Sequence, residues 1–74
     1  MAAIPAKSPD DLKYILAVLL GIDPESRLAK GILIVPVGDG WRAMSGHHDD
    51  DPDFRASVLK LSIELSDRYA LDQG

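Results

Sequence analysis

The chain has no cysteine among its 74 residues. That excludes disulfides and thiolate metal sites as a supplement to its core. A chain of this length buries only about 60% of the surface that its unfolded form exposes, so the core has little to spare. Long apolar runs are also missing. The longest, Tyr14 to Leu20, falls far short of the roughly 20 residues that a bilayer-spanning helix needs. The first residues lack a basic region followed by an apolar run and a small-residue cleavage site, so a cytoplasmic protein is the expectation, with no membrane partner. Phosphate-binding signatures are absent as well. Gly38-Asp39-Gly40 carries neither the dinucleotide fingerprint nor the phosphate-loop lysine, and its glycines read as turn residues. No cofactor is implied.

Charge of one sign is scarce in half of the chain. Residues 1–46 carry five basic and five acidic side chains, whereas residues 47–74 carry three basic and seven acidic. The whole net charge of −4 therefore lies in the second part. A net-acidic chain neutralises phosphates poorly, so direct nucleic-acid binding is not expected. The apolar fraction of 46% is that of a folded domain. It is ample for so small a chain, and part of it is available for burial against a partner.

The pattern along the chain predicts a single α+β domain over residues 1–74: helix, short helix, β-hairpin, long C-terminal helix, with the helices packed on one face of an antiparallel hairpin. Residues 1–7 read as a loose arm, in which Ala2 to Ile4 could add a strand. A helix is predicted over 8–21, with Ser8 as cap, Pro9 in the first turn and Asp10 and Asp11 at the positive end of the dipole. Leu12, Ile15, Leu16 and Leu19 fall on one helical face, and Gly21 is the stop. Tyr14 and Val18 lie beside that face, so the helix is apolar over most of its girth and must be covered on more than one side.

Asp23-Pro24-Glu25 repeats the start signal and predicts a short helix over 23–30. Ile32 to Val37 is apolar and β-branched, and Pro36 marks it as an edge strand or as a strand that ends there. With Trp41 to Ser45 it makes a hairpin over 32–45, the Asp-Gly dipeptide supplying the turn. Trp41, Ala43 and Ser45 share one face, with Trp41 as the expected core anchor, and Arg42 and Met44 share the other. Asp51-Pro52-Asp53 starts a helix over 51–71, with Phe54, Val58, Leu61, Leu65 and Tyr69 as its stripe and Leu59 and Ile63 widening it.

The densest group of chemical side chains is His47-His48-Asp49-Asp50-Asp51-Pro52-Asp53. Imidazole and carboxylate together suit zinc or another divalent ion, and His47, His48 and Asp49 are the candidate ligands. Neighbouring residues in an extended segment point opposite ways, however, and the sequence offers no third His. The glycine and terminal Glu of a calcium loop are absent too. Ser45 near His47 and His48 suggests a serine–histidine pair, but a working triad needs an orienting third group, an oxyanion hole and a pocket. No catalytic residue is assigned, and an enzyme is not expected.

Capping accounts for Asp51 and Asp53, because the cap-proline-acid pattern occurs at three helix starts. The remaining reading is a partner-binding acidic patch of Asp49, Asp50, Asp51 and Asp53 with His47 and His48, to which Asp10, Asp11, Asp23 and Glu25 could add. Such a patch steers a protein partner with a basic surface, for instance a nucleic-acid-handling complex. Small acidic inhibitors from phage and mobile elements, anti-CRISPR proteins among them, share this size and charge, and a protein of that kind is the expected function. The alternatives are a homodimeric accessory or toxin–antitoxin-type domain, with Tyr14, Val18, Ile32 and Ile34 as dimer surface, and a small metal-binding domain using His47 and His48.

Overall fold

The structure is a computed structural model, and it describes residues 4–47 and 50–72. Its elements in order are β1 (Ala6–Lys7), α1 (Pro9–Leu20), α2 (Arg27–Lys30), β2 (Ile32–Val37), β3 (Gly40–Ser45), α3 (Pro52–Ser66) and β4 (Ala70–Leu71). Three helices and an antiparallel β2–β3 hairpin make the expected α+β arrangement, with α3 lying along β3.

Helix α1 begins and ends as its sequence dictates. The Ser8 hydroxyl accepts from the Asp11 N–H at 3.2 Å. At the other end Gly21 takes a left-handed φ of 75°. Gly21 N–H donates to the Val18 carbonyl and Ile22 N–H to the Ala17 carbonyl, which closes the helix as a Schellman turn. Leu12, Leu16 and Ala17 are buried, with Ile15 and Leu20 packed beside them. Leu19 is exposed, so the buried face is rotated from the expected one towards Leu20.

The second helix starts later than its acid-proline signal suggests. The Asp23 carboxylate accepts from the Glu25 N–H at 2.9 Å and holds a local turn. Ser26 then caps α2, accepting from the Ala29 N–H at 3.3 Å. A side chain that bonds its own backbone two residues on competes with helix formation, and here it wins over residues 23–26.

The hairpin turn is centred on Gly38-Asp39 rather than on Asp39-Gly40. Gly38 has φ 57° and no non-glycine residue among the described ones has positive φ, so the two-residue loop has a glycine in the first central position, as a type II′ turn requires. One face of the hairpin faces the core. Ile32, Trp41 and Ala43 are buried, and they pack with Leu12, Leu16, Val58 and Leu65. The Trp41 indole N–H donates to the Tyr69 carbonyl at 2.9 Å, which satisfies the one polar atom of the largest core side chain.

Helix α3 stops at Ser66, short of the expected Leu71. Beyond it the chain becomes β4, which pairs in parallel with β1, Ala6 opposite Ala70 and Lys7 opposite Leu71. Ala70 N–H donates to the Pro5 carbonyl and Asp72 N–H to the Lys7 carbonyl. The arm expected over residues 1–7 is therefore tied down at Ala6 and Lys7, and Lys7 also sits over the Tyr69 ring. Such pairing between the two ends of a chain leaves no local signal. The suggested strand at Ala2 to Ile4 falls largely on residues 1–3, outside the described residues.

Candidate functional site

The acidic segment leaves the end of β3 and enters α3. Gly46 N–H donates to the Gly31 carbonyl at 2.8 Å and so extends the hairpin by one pair. This close approach demands glycine, because a Cβ on Gly46 would run into the Gly31 carbonyl. The His47 imidazole lies against Gly31, where a Cβ would overlap its ring. Asp50 N–H donates to the His47 carbonyl at 3.1 Å. The Ser45 hydroxyl donates to the Asp50 carboxylate, and the His47 carbonyl, 3.3 Å away, is its weaker second acceptor. Asp51 caps α3 by accepting from the Asp53 N–H at 2.7 Å.

These contacts divide the segment. Asp50 is half-buried and fastened to Ser45, and Asp51 is engaged as a cap although exposed; Asp53 stands exposed in the first turn. His48 and Asp49 lie outside the described residues, so the metal reading and the patch reading are described only in part. Among the described residues no three metal-capable side chains converge. Ser45 is joined to a carboxylate and a main-chain oxygen, an arrangement that fastens the turn.

Two of the other helix-start acids lie in a separate cleft. Asp10 and Glu25 line a cleft between α1 and the 24–30 segment, together with Lys13, Tyr14 and Lys30. Lys30 and Glu25 pair at 3.5 Å there, so the cleft is mixed in charge.

The proposed dimer residues separate as well. Tyr14 and Val18 are exposed on α1. Ile32 is fully buried and Ile34 packs on the core, because β2 turns its even-numbered side chains inwards with Trp41 and Ala43 opposite. The Ile32 side chain therefore offers no surface, and that of Ile34 is only partly exposed.

The outward face of the hairpin carries what the sequence reading passed over. Leu33 is 49% exposed, Met44 45%, Leu59 45% and Ile63 46%, and Val37 is similarly open. Leu33 opposes Met44 across the strands. Met44 and Leu59 line one shallow hollow with Ser45, Arg55 and Ala56. Leu59 and Ile63 are one helical turn apart. An apolar stripe therefore runs from Val37 and Leu33 across Met44 onto α3, and at Ser45 it abuts the acidic turn. Its signal was present: β2 is apolar at every position, which suits a strand with something to bury on both faces.

In comparisons with known proteins, no family model, no curated protein and no solved structure matches this chain. No helix among the described residues is long and apolar enough to cross a membrane.

Proposed function

We propose that this chain is a non-enzymatic protein-docking module. One observation carries the reading: an exposed apolar stripe of Leu33, Met44, Leu59 and Ile63 abuts a turn bearing Asp50, Asp51 and Asp53. Apolar area at the centre of a contact supplies affinity by excluding water, and charge at its rim supplies steering and partner choice. The partner that fits is a protein with an apolar ridge flanked by lysine or arginine. Nucleic-acid-handling proteins present basic surfaces of that kind, so an inhibitor or adaptor acting on one, of the phage or mobile-element type, is the specific form of the proposal. The cytoplasm is its proposed setting.

The experiment is capture from a bacterial lysate at low and high salt with three baits. These are the natural chain, a charge variant (Asp50→Asn, Asp51→Asn and Asp53→Asn, asparagine retaining the capping geometry) and an apolar variant (Met44→Ser with Leu59→Ser). A protein held by the natural chain, released by salt and lost from both variants is the expected result. A protein retained equally by all three baits would remove this face from the mechanism.

A further inference from the structure

We infer that the outer face of α3 pairs with α3 of a second copy of this chain, the two helices running antiparallel. The shape of that face gives the first reason. Leu59 and Ile63 stand one helical turn apart and are 45% and 46% exposed. Together they form a ridge between two shallow hollows. Met44, Ala56 and Leu59 line the hollow on one side, and Leu19, Lys60 and Glu64 line the one on the other. Helices pack by setting the ridge of one into the groove beside the ridge of the other. This surface carries both parts.

Unused charge gives the second. Lys60 and Glu64 lie one turn apart beside the ridge, on the side away from Met44. Among the described residues neither side chain takes part in an ion pair or a hydrogen bond. Their order disfavours a pair within the helix, because at this spacing a lysine placed before the glutamate is the weaker arrangement. Each side chain is left for a group of opposite sign on another chain.

The third reason is self-complementarity. A two-fold axis level with Ser62 interleaves the two ridges. Leu59, Ile63 of the second copy, Ile63, and Leu59 of the second copy then follow one another at steps of about 3 Å, two residues of helical rise. In the same register Lys60 stands opposite Glu64 of the second copy, and Glu64 opposite its Lys60, so two ion pairs flank the apolar seam. A parallel pair places the Lys60 and Glu64 side chains of the two copies on opposite sides of the seam and leaves them unmatched, so charge selects the antiparallel direction. The one like-charge approach, Asp53 to Asp67 of the second copy, falls at the exposed ends of the pair, where water and salt screen it. The pair covers Leu59 and Ile63, half of the docking stripe, so self-pairing and capture of the docking partner exclude one another.

Sedimentation of the full chain and of three charge variants tests the pair. The natural chain is expected to form a dimer by the hundreds-of-micromolar range. Lys60→Glu and Glu64→Lys should each raise the dissociation constant at least about ten-fold, although the first makes the chain more acidic and the second less. The double variant, Lys60→Glu with Glu64→Lys, restores opposite charges across the seam and should return the constant to within about three-fold of the natural value. Circular dichroism spectra should be the same for all four chains. A natural chain that stays a monomer into the hundreds-of-micromolar range, a dimer indifferent to the single reversals, or a double variant as weak as the singles overturns the inference. None of these readouts involves the docking partner, so the two proposals fail separately.

Discussion

The two strands of the hairpin have the same length and opposite situations. On its far side β3 is covered: α3 lies along it, Trp41 donates to the Tyr69 carbonyl, and the Arg42 guanidinium donates to the Trp41 carbonyl at 2.7 Å while reaching the Ser66 hydroxyl. No strand among the described residues pairs with the far side of β2, where α1 packs against the strand and Ile32 is fully buried while Pro36 and Val37 are exposed. The same division runs through the faces, with Ile32, Trp41 and Ala43 buried on one and Leu33, Val37 and Met44 exposed on the other. A small domain thus buries its large side chains on one face of the hairpin and leaves the other face apolar and exposed. Buried side chains are concentrated where β3 meets the helices, and exposed apolar side chains on the outer face.

Trp41→Ala is the largest expected blow to this division. It removes the biggest buried side chain and leaves the Tyr69 carbonyl without its donor, at a cost of about 3–5 kcal/mol. For a domain of this size that leaves the chain largely unfolded, as a denaturant titration followed by circular dichroism will show.

Neighbouring residues on β2 sharpen the contrast between faces. Ile32→Ala should cost about 2–5 kcal/mol, whereas Leu33→Ser should stay within about 0.5 kcal/mol in dilute monomer. Equal losses in chemical denaturation would erase the difference between inner and outer face.

Gly46→Ala and Gly31→Ala compare a backbone obstacle with a side-chain one. The alanine methyl at position 46 meets the Gly31 carbonyl, which cannot move without parting the strands; at position 31 it meets the His47 ring, which can swing away. Both should destabilise by about 1–3 kcal/mol, with Gly46→Ala the worse. The reverse order in thermal melts would mean that the His47 ring is the better-held of the two.

Asp51→Ala is expected to cost about 1 kcal/mol through loss of the α3 cap. Asp51→Asn should cost little, which separates capping from charge at the acidic turn.

Much of this molecule was legible because its signals are local. Ser8, Gly21 and Asp51 bound their helices through contacts within a few residues, and alternation alone put Trp41 and Ala43 on one face and Met44 on the other. The misreadings came from competing local bonds or from distant partners. The Asp23 carboxylate satisfied its own turn and delayed α2 to Ser26. The stop of α3 at Ser66 depends on β1, some sixty residues earlier in the chain, and no residue near Ser66 announces it. At the site, the carboxylates were visible in the sequence but their engagement was not. Asp50 is fastened to Ser45, and the stripe through Met44 and Leu59 exists only once α3 is laid beside β3. Ile32 and Ile34 were read as a possible surface, whereas the alternation of β2 buries Ile32 and packs Ile34 against the core.

The most direct measurement is amide hydrogen exchange of the full chain. The Val35 N–H, which faces β3, should be protected at every concentration. The Ile34 N–H, which points away from β3, should exchange faster than the Val35 N–H. Equal protection of the two amides would contradict the asymmetry between β2 and β3 on which this account rests.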